Sequence, residues 1–147
     1  MNNFKYAVFA SILALGGCEK MGQKAMNAIP DPSPQQEQVA QAAYDDLRAQ
    51  NFTQLMTRLE PELQARVTGD EKAMHQFARG LQRENYKTKK MVAKNIVKAT
   101  KQPSKYTVTY EYAYDKNLVQ YDVSFDKAGG SNQIRDLSVA VFGESIK

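Results

Sequence analysis

Residues 106–125 read YTVTYEYAYDKNLVQYDVSF and decide the fold class of this 147-residue chain. Large apolar side chains alternate with polar or small ones over residues 106–114 and 119–125, and the polar segment Asp115-Lys116-Asn117 lies between the two runs. Alternation with a period of two is typical of a strand buried on one face, and a short polar break predicts a hairpin. The predicted inward face carries Tyr106, Val108, Tyr110, Tyr112, Tyr114, Val119, Tyr121, Val123 and Phe125.

Two further strands are predicted outside this hairpin. Residues 86–100 form a lysine-rich, β-branched run, and Gln102-Pro103-Ser104 has the composition of a turn into the next strand. Downstream, residues 129–132 read GGSN and predict a second turn, after which Leu137, Val139 and Val141 alternate with polar or small residues. The sequence therefore predicts a four-stranded antiparallel meander.

The region before the strands has helical periodicity. From Glu37 to Leu81, apolar residues recur at spacings of three and four, in roughly three helical segments. Asn51 and Asp70 are suitable N-cap residues, and Pro61 suits a first helical turn. Helices followed by an antiparallel sheet predict an α+β domain over residues 37–147, with the helices packed on one face of the sheet.

The N-terminus has the features of an export signal. Lys5 precedes an apolar run over residues 6–15, which is too short to span a bilayer. Leu15-Gly16-Gly17-Cys18 then resembles, at every position, the lipobox of bacterial lipoproteins. The resemblance implies that residues 1–17 are a signal peptide, that cleavage occurs before Cys18, and that lipid is attached to Cys18. The alternative is an unpaired thiol after an ordinary secretory signal.

Location and tethering follow from the same resemblance. In lipoproteins of Gram-negative bacteria, aspartate after the cysteine retains the protein in the inner membrane, whereas this chain has Glu19. The resemblance thus implies a protein anchored by lipid to the periplasmic face of the outer membrane. Residues 18–36 are predicted to be the lipidated N-terminus and a tether, because Pro30, Pro32 and Pro34 favour extended chain.

The order of the elements resembles the cystatin-like, nuclear-transport-factor-two-like α+β domain. In that family a curved sheet wraps around a helix as a cone and leaves a cavity at the wide end. Five of the predicted inward residues are tyrosines, and their hydroxyls either reach water or line a cavity. A half-polar aromatic pocket is typical of a site for a small ligand or peptide, so the candidate pocket residues are Tyr106, Tyr110, Tyr112, Tyr114 and Tyr121. The alternative is a packed aromatic core, although buried tyrosine hydroxyls need hydrogen-bond partners.

A second candidate site is a basic surface patch on and around the first strand. Its residues are Lys87, Lys89, Lys90, Lys94 and Lys98. Such a patch either contacts anionic headgroups, glycans or an acidic protein, or protects an edge strand from aggregation.

Catalysis, metals and cofactors are not predicted. His75, the only histidine, lies one residue off the apolar stripe of its helix, and a zinc site needs three or four ligands. The strand acids Glu111, Asp122 and Asp136 alternate with the inward residues and should point away from any cavity. We therefore expect no catalytic residues and no cofactor.

Charge excludes one class of partner. After loss of residues 1–17 the chain has 19 basic and 16 acidic residues, a net charge of +3, which is too weak for a nucleic-acid-binding domain. The sequence therefore predicts a non-catalytic, membrane-anchored domain that binds an envelope protein, a peptide or a small ligand. The alternative function is an enzyme or ligand carrier that uses a tyrosine-lined cavity.

Overall fold

A computed structural model describes residues 26–143 of the chain. A compact unit that begins at Asp31 contains every element named below, and of the preceding unit residues 26–30 are described, as a single helical turn. Cys18, the predicted signal peptide (residues 1–17) and residues 18–25 of the predicted tether lie outside the described residues.

The compact unit has the α+β class that the sequence predicts. Four helices come first: α1 (Pro34–Ala49), α2 (Phe52–Met56), α3 (Pro61–Thr68) and α4 (Glu71–Arg79). Four strands follow: β1 (Thr88–Ala99), β2 (Gln102–Ala113), β3 (Asn117–Phe125) and β4 (Asp136–Gly143). The strands pair with antiparallel neighbours in the order β1-β2-β3-β4, which is the predicted meander and leaves β1 and β4 at the edges.

Helix α1 begins three residues earlier than the sequence pattern predicts. Ser33 is its N-cap, Pro34 occupies the first turn, and Ser33 and Gln36 form a reciprocal capping box. Proline is as suitable for the first turn of a helix as for an extended tether, so the proline spacing alone did not locate the boundary. Residues 31–36, predicted to belong to the tether, are part of the folded unit.

Strand β2 begins inside the segment predicted as a turn. Ala99 pairs with Gln102, so the turn is Thr100-Lys101, and Pro103 lies in the strand. The β2–β3 ladder ends at Tyr106 opposite Phe125, and the β1–β2 register is irregular between Val97 and Ala99. Proline is tolerated at such a position, since a missing N–H costs least where the ladder is irregular or has one neighbour.

The core lies between α1 and the tyrosine face of the sheet. The nine inward residues predicted for the hairpin are all buried, which confirms the alternation. Tyr44 and Leu47 of α1 are fully buried above them, and the Tyr44 ring stacks on Tyr112 with centroids 3.9 Å apart. Each such large side chain stabilises the fold by about 1.5–3 kcal/mol through burial.

The link between α2 and α3 is fastened to the β3–β4 loop. Glu60 N–H donates to the carbonyl of Ile134 at 2.8 Å, and Ile134 N–H donates to the carbonyl of Arg58 at 2.9 Å. Arg135 adds a bidentate pair with Glu60, at 3.0 and 3.1 Å. These bonds position α3 and α4 beside β4.

Candidate functional site

The five candidate tyrosines meet on the buried face of the sheet, and other aromatic rings occupy the space between them. Tyr110 stacks on Tyr121, and Tyr44 lies against both Tyr112 and Tyr121. Tyr86 packs edge-on against Tyr112 at 4.9 Å. The sequence analysis missed Tyr44 and Tyr86, although Tyr44 lies one helical turn from Ala40 and Leu47, on the buried side of α1.

The tyrosine hydroxyls differ in their hydrogen bonding. The Tyr44 and Tyr114 hydroxyls are 2.7 Å apart, and Tyr112 donates to Gln41 Oε1 at 3.1 Å. The hydroxyls of Tyr110 and Tyr121 are buried without a partner among the residues that the structure describes. An unpaired buried hydroxyl costs about 1–3 kcal/mol, so these two groups need an explanation.

Burial also changes the acidity of the cluster. Loss of hydration disfavours the tyrosinate form and raises the pKa of Tyr106 to about 12. The pKa values of Tyr110, Tyr112 and Tyr121 are raised further, also chiefly by burial. Burial and the hydrogen bond with Tyr114 raise the pKa of Tyr44 strongly. All five groups are therefore neutral near neutral pH, and none of them serves there as a base.

The five candidate lysines do not share one surface. Lys89 and Lys94 lie opposite Tyr112 and Val108 and so point to the tyrosine face, whereas Lys90 lies opposite Glu111 on the other face. Lys87 pairs with Asp115 at the end of the strand, and Lys98 is exposed. The register irregularity between Met91 and Ala93 places Lys94 on the same face as Lys89.

Two of these lysines make specific contacts within the folded unit. Lys89 Nζ lies 4.6 Å from the Tyr110 ring centroid, and burial lowers its pKa. Lys94 Nζ contacts Asp31 at 2.6 Å, and its side chain is 4% exposed. The predicted basic patch is therefore reduced to the exposed residues Lys87, Lys90 and Lys98.

The largest departure from the sequence prediction is an open apolar surface on the helices. The helical spacing of Met74, Phe77, Ala78 and Leu81 puts them on one apolar stripe, which predicts that they face the core, but only Ala78 and Leu81 are buried. We name the surface between α2, α3, α4 and the start of β4 the apolar groove. Its larger apolar lining residues are Phe52, Met56, Leu63, Val67, Met74, Phe77 and Leu137. Ala73 and the polar residues Thr68, Glu71, His75 and Ser138 also line it.

The apolar groove consists of two adjoining cavities that share Val67 and Met74, with volumes of about 170 and 260 Å³. His75 is exposed, as predicted, and its ring packs edge-on against Phe52 with centroids 4.4 Å apart. Methionine side chains adapt their shape readily to a partner. The groove is therefore an adaptable apolar surface with polar groups at its margin.

The strand acids lie where the alternation predicts, off the buried face. Asp122 accepts hydrogen bonds from Thr109 Oγ1 at 2.6 Å and from Ser138 Oγ at 3.3 Å. Asp136 contacts Lys105 Nζ at 3.0 Å. Within residues 26–143, no cluster of three or more His, Cys, Asp or Glu side chains could hold a metal ion.

None of the helices in the described part of the chain has the length and apolar character needed to cross a bilayer. No protein-family model, no curated protein and no solved structure gave a significant match to this chain.

Proposed function

We propose that this chain is a lipoprotein, anchored by Cys18 to the periplasmic face of the bacterial outer membrane, whose α+β domain binds an apolar segment of an envelope protein without catalysis. The observation that carries the binding part is the apolar groove. The anchoring part rests on Leu15-Gly16-Gly17-Cys18. An anchor of two or more acyl chains holds a protein stably, and confinement near the membrane raises its effective concentration for a partner there.

Replacing the anchoring residue tests the location. Cys18→Ser removes the only thiol in the chain, so we expect loss of metabolic fatty-acid labelling and a shift of nearly all the protein from the membrane to the soluble fraction. Ser33→Cys in the Cys18→Ser background is the control, because it restores a thiol outside the lipobox and should restore neither property. Retention of Cys18→Ser in the membrane would reject the lipid anchor.

Two features support the groove as the binding surface. Met74 and Phe77 remain half-exposed on a chain that buries Leu47, Leu55 and Leu59 completely. The groove walls belong to elements fastened by the bonds from Arg58 and Glu60 to the β3–β4 loop. A pre-ordered apolar surface loses little conformational entropy when a partner binds.

Site-specific crosslinking in the native envelope tests this surface. A photo-crosslinking residue at Ala73, which lines the groove, should capture a defined envelope protein, and Met74→Lys should lower that yield at least tenfold. The reason is that an apolar partner segment seated on the groove would have to remove water from the new ammonium group, which is strongly unfavourable. Gln76 is an exposed residue of the same helix that lines neither cavity, so a crosslinker at Gln76 and the variant Gln76→Lys are matched controls.

The outcome separates the proposal from its alternative. Equal capture at Ala73 and Gln76, with no loss in Met74→Lys, would reject the groove as the binding surface. The alternative is a cystatin-like cone that carries a ligand, and it is favoured by the unpaired hydroxyls of Tyr110 and Tyr121. Recovery of a small molecule from the purified native protein, with no crosslinked protein, would support the cone and its tyrosine-lined cavity instead.

A further inference from the structure

The two edges of the sheet are built differently. Edge strand β1 carries four of the candidate lysines along its length and has two register irregularities, near Val92 and near Lys98. Lysines and irregular pairing are the devices that keep an edge strand from joining another strand. Edge strand β4 has neither feature, since residues 137–143 read LSVAVFG and contain no charge, and all eight of its pairs with β3 follow one continuous register.

Strand β4 also exposes apolar side chains on both faces. Val141 is 40% exposed on the inner face, and Phe142 is 52% exposed on the outer face. The strand is paired on one side only within residues 26–143. Edge β1 exposes Val92, Ile96 and Val97, but four lysines lie in the same strand.

We propose that β4 is a dimerisation edge, where the β4 strands of two copies of this chain pair antiparallel about a two-fold axis to form one continuous eight-stranded sheet. This inference does not depend on the groove or on the lipid anchor. It concerns the sheet edge beside the apolar groove and requires no other protein.

A second copy fits this edge for reasons of charge. A two-fold axis through β4 pairs uncharged residues with uncharged residues along 137–143. The single acid of the strand, Asp136, lies at its first residue, so in an antiparallel pair the two copies of Asp136 lie at opposite ends of the interface. Pairing β4 with β1 of another copy would instead meet the lysines and would not close, because head-to-tail contacts propagate.

The extended conformation of β4 and the apolar residues beside it also favour the β4 strand of a second copy as the pairing partner. The β4 strand of a second copy is already extended, so pairing does not require a flexible segment to become ordered. On the inner face, an added strand would cover Val139 and Val141, which continue the row that begins with Leu137 in the apolar groove. On the outer face it would cover Phe142.

Single cysteines test the proposal in the full-length Cys18→Ser chain, which then has no other thiol. In an antiparallel two-fold pair, a residue k positions from the axis is separated from its own copy by about 7k Å along the strand, whereas disulfides need Cα atoms about 4–7 Å apart. Successive side chains of a strand point to opposite faces, so a single cysteine faces its own copy only at a residue on the axis. Cysteines placed singly from Ser138 to Phe142 should therefore crosslink two copies sharply at one position. If the axis lies between two residues, a mixture of the two neighbouring variants should crosslink instead. Asn95→Cys on the exposed part of β1 is the control and should not crosslink.

Sedimentation equilibrium of the uncrosslinked chain gives the second readout. We expect a monomer–dimer equilibrium whose dissociation constant rises at least tenfold in Ala140→Lys, because two like charges then meet near the axis, and is unchanged in Asn95→Lys. Either a monomer at all concentrations or equal crosslinking at Asn95 would overturn the proposal. Circular dichroism of Ala140→Lys shows whether the fold is kept, and cysteine crosslinking remains decisive if it is not.

Discussion

Raising the pH above 10 is expected to unfold the α+β domain in one cooperative step, because five buried tyrosines must lose protons. The pKa values of Tyr44, Tyr106, Tyr110, Tyr112 and Tyr121 are all raised in the folded state, whereas unfolded tyrosine titrates near 10. Above pH 10 the unfolded chain therefore binds fewer protons than the folded one. The stability is complete below that pH and decreases as the pH rises towards the folded pKa values.

The expected loss of stability at alkaline pH is large compared with the total stability of a small domain. Each tyrosine that is ionised only in the unfolded state lowers the free energy of unfolding by about 1.4 kcal/mol per pH unit. Five such groups give about 7 kcal/mol per unit, against a total of about 5–15 kcal/mol. Far-UV circular dichroism and tyrosinate absorbance, followed in one alkaline titration, should change together between roughly pH 10.5 and 12. Tyrosines that titrate near pH 10 while the helical signal persists would contradict the prediction.

Two matched variants assign the effect to individual hydroxyls. Tyr121→Phe removes a buried hydroxyl that has no partner among the described residues, so the stability at neutral pH should be unchanged or increased. Above pH 10, the slope of the free energy of unfolding against pH should decrease by the equivalent of about one proton. Tyr112→Phe should reduce the slope similarly but should also lower the stability at neutral pH by about 1 kcal/mol, because Gln41 loses its donor.

The part of the fold that has a simple period could be predicted from the sequence. Alternation located the buried face of β2 and β3. Successive side chains of a strand point to opposite faces, so the local sequence alone shows which residues face inward. The same reasoning failed for Pro103, since the end of the neighbouring strand β3 decides whether a proline is tolerated there. It also failed for the lysines, since the register irregularity near Val92 moved Lys94 to the buried face.

The candidate groove could not be predicted, for a related reason. A 3.6-residue period shows which side of α4 is apolar but not how much of that side another element covers. Met74 and Phe77 lie on the predicted stripe with Ala78, yet they remain half-exposed because the bonds from Glu60 and Ile134 hold the helices beside β4 and leave a gap. That gap depends on contacts about 75 residues apart in sequence, as in the Arg135–Glu60 pair.

The Gln36 side chain makes four hydrogen bonds to backbone groups. Its side chain is fully buried, and its Oε1 accepts from Ser33 N–H at 3.1 Å and from Gly129 N–H at 3.0 Å. Its Nε2 donates to the carbonyls of Lys127 and Ser131 at 2.9 and 3.0 Å. One amide thus caps α1 and holds the β3–β4 loop, in which Gly129 has a φ of +67°.

Gln36→Met should lower the free energy of unfolding by about 4 kcal/mol, since methionine keeps the length of the side chain but leaves four backbone groups without their partner, at about 1 kcal/mol each. Chemical denaturation of this variant measures the loss, and Gln35→Met, at the exposed neighbouring position, should cost less than about 0.5 kcal/mol. Gln36→Glu separates the two halves of the contact. A carboxylate keeps both acceptor bonds but opposes the carbonyls of Lys127 and Ser131, so it should destabilise the domain at least as much as methionine at pH 7. If Gln36→Met unfolded at the same denaturant concentration as Gln35→Met, the amide would not hold the loop to the helix.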